Sequence, residues 1–134
     1  YMSAVYKGKE RRRGQRVAYT SEIWYRDYNK LDQGFKHAYG KNISQYGLFF
    51  EAYEIFPACT ILELKLPVPY GQKIPSQGKS FMVLGEVGRS EEIKRPWLYC
   101  IAVSFCKIDD SFREILTRYV SDVSTQKFPN ELAV

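Results

Sequence analysis

The clearest pattern in the chain is an alternating run, Thr60-Ile-Leu-Glu-Leu-Lys-Leu66. Leu62, Leu64 and Leu66 share one face and Glu63 and Lys65 the other. A period of two marks a strand with one buried side. Upstream, Arg16-Val-Ala-Tyr-Thr-Ser-Glu-Ile-Trp-Tyr25 is rich in β-branched and aromatic residues and reads as one strand. After the polar stretch Asp27–Gly34, Phe35–Asn42 and Gly47–Tyr53 read as two more. Between them Asn42-Ile-Ser-Gln-Tyr-Gly47 supplies turn residues. Pro67–Ser80, with Pro, Gly and Ser throughout, is a loop. Phe81–Val87 and Trp97–Phe105 are further strands, joined by the charged, proline-containing stretch Arg89–Pro96. The period then changes. Phe112, Ile115, Leu116, Tyr119, Val120 and Val123 recur at intervals of three and four, which predicts a helix with one apolar face packed on the strands. Ser111 and Glu114 have capping-box spacing, Asp109 and Asp110 suit a helix N-terminus, and Pro129 is expected to follow the helix end.

Six strands and a terminal helix predict a mainly β fold, a six-stranded antiparallel β-barrel with a C-terminal α-helix. At 134 residues the chain fits one domain. Its expected span is 10–124, with a flexible lead-in at 1–9, which has no apolar period, and a tail at 125–134. The eleven Tyr and eight Phe favour strands over a helical bundle. No stretch approaches the roughly eighteen consecutive apolar residues of a membrane span, and Tyr1–Lys9 lacks a signal-peptide core. Three cysteines (Cys59, Cys100 and Cys106) leave one unpaired under any disulfide scheme, so they read as free, mostly buried thiols in a cytoplasmic protein. With a single histidine, His37, read as a surface strand residue, no metal site, cofactor or catalytic set is expected. Trp24 and Trp97 read as packing residues, and Arg89 as a surface residue.

Charge changes the picture by its location. Residues 1–16 hold Lys7, Lys9, Arg11, Arg12, Arg13 and Arg16 against the single acid Glu10, a balance of +5. The whole chain is also +5, so residues 17–134 sum to zero. A barrel that tracks single-stranded nucleic acid would spread cations along a groove. Here they gather in one segment, which speaks against nucleic acid and by itself says only that the partner is an anion.

Two motifs flank the first strand: Arg12-x-x-x-Arg16 and Asn42-x-Ser44-x-x-Gly47. Together they resemble the signature of the PilZ family of cyclic di-GMP receptors. Gly85-Glu-Val-Gly-Arg89 and Ile101-Ala-Val-Ser-Phe105 resemble the family's later strands, so the likeness runs from about residue 10 to 123. It implies a PilZ-like barrel that binds cyclic di-GMP and is not an enzyme. The contacts it implies come from Arg12 and Arg16, with Arg11 as a third, and from Asn42, Ser44 and Gly47. Arginine just before the motif also goes, in this family, with binding of an intercalated nucleotide dimer.

The chemistry agrees with the likeness. An arginine fork bonds guanine O6 and N7 bidentately or a phosphate, and its flat face stacks on a base. Asn42 offers an amide oxygen to a guanine N–H, and Ser44 a hydroxyl to a base or phosphate. Gly47 permits either a positive-φ turn or a close approach of ligand to backbone. Asparagine in place of the commoner aspartate gives up a charge-assisted bond, which lowers the expected affinity. Signalling would then proceed by ordering of the arginine segment against a partner protein or flanking domain. Motility, exopolysaccharide synthesis and virulence are the family's outputs. The alternatives are a degenerate PilZ adaptor that binds only protein, and the single-stranded nucleic-acid barrel.

Overall fold

Leu62, Leu64 and Leu66 are fully buried in the computed structural model of the chain, as their alternation predicts. The structure describes residues 15–69, 79–93 and 97–133, with side chains as far as Thr125. The expected lead-in, together with Arg11 and Arg12, lies outside the described residues.

Seven strands and one helix follow in order: β1 Val17–Ala18, β2 Glu22–Asp27, β3 Lys36–Ile43, β4 Gly47–Ala52, β5 Ile61–Pro67, β6 Ser80–Glu92, β7 Tyr99–Lys107 and α1 Asp110–Ala133. Strands β2, β5, β6, β7, β4 and β3 pair in sequence, all antiparallel, and β3 returns to β2. The ring is a closed six-stranded antiparallel barrel, with β1 as a short addition on β3. Closure leaves the six strands without a free edge, and inward residues such as Ile23, Phe50, Val83 and Ile101 fill the interior. Each such side chain contributes about 1.5–3 kcal/mol of burial. The helix completes the core with Phe112, Ile115, Leu116 and Val120, and Phe112 stacks on Phe81 with ring centroids 4.4 Å apart.

The structure corrects several expectations. The run Arg16–Tyr25 is two strands, broken at Tyr19–Ser21. There the Tyr19 ring turns inward, its hydroxyl donates to the Pro67 carbonyl at 2.7 Å, and its amide donates to Lys41. Gly40 makes room for this, since a Cβ there would lie 2.5 Å from the Tyr19 carbonyl oxygen and 2.8 Å from its ring. Strand β6 runs on through Arg89–Glu92, expected as a connection. Arg89, Ser90, Glu91 and Glu92 pair with Ala102, Ile101, Cys100 and Tyr99 after a register shift between Val87 and Arg89. The Ser90 hydroxyl both donates to and accepts from the Phe56 backbone, which fixes that end. Strand β7 starts at Tyr99, and Trp97 is exposed.

The helix begins earlier than the capping-box spacing implies. Arg113 N–H donates to the Asp109 carbonyl at 3.0 Å, so Asp109 is the cap and Ser111 lies inside the first turn. It continues to Ala133 through Pro129, which was expected to follow its end, giving up the one amide donor that proline lacks. Cys59 and Cys106 are exposed and Cys100 is partly so, which overturns the expectation of buried thiols. Cys59 occupies a turn at φ 73°, and Cys106 sits beyond the inward-facing part of β7.

Candidate functional site

Antiparallel register decides which side chains share a face. Asn42 on β3 pairs with Phe49 on β4, Phe49 with Ala102 on β7, and Ala102 with Arg89 on β6. The neighbouring row, Ile43, Leu48, Val103 and Val87, is buried. The first row therefore lies on the outer wall of the barrel, with Asn42 and Arg89 at its ends and Phe49 between them. Register shifts between Gly40 and Asn42, and between Val87 and Arg89, bring the two end residues onto this face.

Arg16, just before β1, reaches the same row. Its guanidinium carbon lies 4.2 Å from the centre of the Phe49 ring, and that of Arg89 lies 5.8 Å from it. A cation on a ring face gains about 0.5–1 kcal/mol at an exposed site. Two cations on one ring also repel each other, and an anion between them removes that repulsion. Arg89 has a weak acidic partner, Glu91 at 3.5 Å, with both side chains more than half exposed. Arg16 has no carboxylate within ion-pair distance among the described residues. Lys41 pairs with Glu51 at 3.3 Å on the adjoining row.

The turn between β3 and β4 supplies the polar half. The Ser44 amide donates to the Gly47 carbonyl at 3.0 Å, and the Ser44 hydroxyl accepts from the Tyr46 amide at 3.1 Å. Ser44 is buried, so it first shapes the turn, and among the described residues no acceptor takes its hydroxyl proton. Two acceptors here, Asn42 Oδ1 near the end of β3 and Gln45 Oε1 in the turn, are buried without a hydrogen-bond partner among the described residues. Each such oxygen costs about 1–3 kcal/mol until a donor arrives. Gly47 is needed for a reason the sequence does not show. A Cβ there would lie 2.5 Å from the Val103 carbonyl oxygen, so the close approach is that of β7.

Cys100 lies two registers away, on the next outward-facing row, opposite Glu51 and Glu91. Burial first, and those two carboxylates next, push its thiol pKa up, which keeps it neutral and unreactive at ordinary pH. The structure thus brings Arg16, Asn42, Ser44 and Gly47 together, while Arg11 and Arg12 lie outside the described residues. It adds Phe49, Gln45 and Arg89. Phe49 and Gln45 carry no local sequence signal, because their place follows from the pairing register and from turn burial. Arg89 was legible only as the last residue of Gly85–Arg89.

The outer wall of a small closed barrel thus carries two guanidinium groups on one ring, next to a turn region where two buried acceptors lack a partner among the described residues. The sequence matches the PilZ domain family over residues 10–122, and the chain belongs to that family, one of binding and regulatory domains. No curated protein matches it. Seven solved chains match in fold. One is the Bacillus subtilis inhibitor of motility MotI/DgrA, with a TM-score of 0.71 at 14% identity over 87% of this chain and 52% of that one. The chain therefore spans about half the length of that neighbour. Among the described residues, no helix is long and apolar enough to cross a membrane.

Proposed function

We propose that this domain is a receptor for cyclic di-GMP, held between the arginine segment and the Asn42–Gly47 turn. One observation carries the reading. The Arg16 guanidinium lies over Phe49, near the buried oxygens Asn42 Oδ1 and Gln45 Oε1, and among the described residues the guanidinium meets no carboxylate and the oxygens no donor. Guanine offers an O6/N7 edge to an arginine fork and N–H donors to an amide oxygen. In this reading Arg16 and Arg12 bond the guanine edge or phosphates, Arg11 adds a third cation, and Asn42 accepts from a guanine N–H. Ser44 donates its hydroxyl proton, and Gly47 holds β4 against β7 so that the turn keeps its place. Arg89 adds positive charge from the far side of Phe49.

A bidentate arginine–guanine contact is worth about 1–3 kcal/mol in discrimination. Two of them with phosphate pairing give roughly −8 kcal/mol, or micromolar binding. Family membership supports this ligand, and the domain then acts by presenting a changed surface to a partner protein or flanking segment. Because the fold neighbour is named an inhibitor of motility, a motility output is the first to examine. Calorimetric titration with cyclic di-GMP, cyclic di-AMP, GTP and a short oligonucleotide tests the reading. Saturable heat with cyclic di-GMP alone supports it, and none at high micromolar protein overturns it. Two nucleotides per chain would support the role of Arg11 in dimer binding.

A further inference from the structure

The helix touches both halves of this site. Arg113, in its first turn, donates through Nη1 to the Gln45 carbonyl at 3.0 Å, and its guanidinium carbon lies 5.6 Å from the centre of the Tyr46 ring. The Tyr119 hydroxyl donates to the Ala18 carbonyl at 2.8 Å. Gln45 belongs to the polar turn. Ala18 pairs with Asn42 and stands two residues from Arg16. The two donors are six residues apart on α1, about 9 Å along its axis. The helix itself is anchored by Phe112, Ile115, Leu116 and Val120, all buried. A rigid, well-anchored element thus holds the two carbonyls at a fixed separation.

We infer that Arg113 and Tyr119 are positioning residues of the ligand site: through them, α1 sets the spacing between β1, which Arg16 immediately precedes, and the Asn42–Gly47 turn. Gln45 lies outside the strand ladders and takes this bond from the helix. Val17–Ala18 is a two-residue strand paired on one side by β3, with few bonds of its own to hold it. At both places a side-chain donor from α1 adds to a small set of local bonds. The same two bonds carry information outward, because a ligand that fixes the turn against β1 also fixes α1. The effect on affinity rests on the nucleotide reading above, whereas the positioning itself does not.

The test uses the full chain carrying Arg113→Met, Arg113→Lys, Tyr119→Phe and the double variant Arg113→Met/Tyr119→Phe. Amide hydrogen exchange without ligand is the first readout. Arg113→Met is expected to speed exchange at least threefold over Ser44–Gly47, and Tyr119→Phe over Val17–Tyr19, with amides 115–123 of α1 unchanged. Arg113→Lys, which keeps a donor, is expected to restore most of the protection in the turn. A merely structural loss would instead speed exchange throughout the barrel. Titration with cyclic di-GMP is the second readout, with three- to tenfold weaker binding for each single variant at unchanged stoichiometry. Turn and β1 amides that exchange as in the wild type in the double variant would overturn the inference, as would uniform acceleration. If the wild type gives no heat with cyclic di-GMP, the nucleotide reading falls, and the exchange data alone still decide the role of α1.

Discussion

Gly47→Ala separates the framework reason for this glycine from a ligand-contact reason. The new Cβ would start 2.5 Å from the Val103 carbonyl oxygen and 3.5 Å from the Ser104 Cα, both backbone atoms. A comfortable carbon–oxygen contact is about 3.4 Å, so β4 and β7 must part by roughly 0.9 Å. That takes a backbone hydrogen bond from about 2.9 Å to beyond its useful range. The bonds at risk are the two that flank the Gly47–Ser104 pair, one of them the 2.8 Å bond from the Phe105 amide to the Tyr46 carbonyl. At about 0.5–1.5 kcal/mol each, two such bonds amount to about 1–3 kcal/mol. Replacing glycine also reduces the entropy of the unfolded chain, which returns about 0.4–1 kcal/mol. At the middle of both ranges the loss wins, for a net destabilisation of about 1.3 kcal/mol and a Tm roughly 3–6 °C lower. Urea unfolding with an unchanged m-value checks it. Gly34→Ala is the control, because nothing lies within 4 Å of a Cβ there, and it should be neutral or slightly stabilising. Wild-type stability for Gly47→Ala would refute the argument. Lost ligand binding at full stability would place the need for glycine in the ligand contact.

Leu64→Ala, at a fully buried position of β5, should cost about 2–5 kcal/mol by urea unfolding, against under about 0.5 kcal/mol for Lys65→Ala beside it. Phe49→Leu should weaken cyclic di-GMP binding several-fold by calorimetry while stability changes little, because the ring carries Arg16 and is only partly buried. Alkaline unfolding has a definite sign. Burial raises the phenol pKa values of Tyr19, Tyr25 and Tyr119 in the folded state, and Tyr25 is raised further by its 2.6 Å bond to Glu54. The unfolded tyrosines lose their protons first, near pH 10. Stability should therefore be insensitive to these groups below about pH 10 and fall above it, with a shallower fall in Tyr19→Phe and Tyr25→Phe.

Local pattern carried most of the fold. Leu62, Leu64 and Leu66 announce a one-sided strand, and the spacing of Phe112 to Val123 announces the helix face, because burial depends on a repeat visible within a few residues. The break at Tyr19–Ser21 was hidden, since it rests on a hydroxyl reaching Pro67, 48 residues away, and on the space at Gly40. The charged end of β6 reads as a loop in isolation, and only pairing with β7 and the Ser90–Phe56 bonds make it a strand. The site divides likewise. Arg16, Asn42, Ser44 and Gly47 stand in motifs that can be read along the chain. Phe49 enters through register, Gln45 through a buried carbonyl-type oxygen, and Arg113 through a bond spanning 68 residues. None of these is local, so no window of sequence displays them.

The central claim is that Arg16, over Phe49, reads a guanine nucleotide together with the Asn42–Gly47 turn. Its most direct test is calorimetric titration of cyclic di-GMP into the wild-type chain and Arg16→Ala under one buffer and salt concentration. The expected result is saturable micromolar binding to the wild type, weakened about 5- to 150-fold by the loss of one bidentate contact of about 1–3 kcal/mol. Equal affinity for the two chains, or no binding to the wild type, would contradict it.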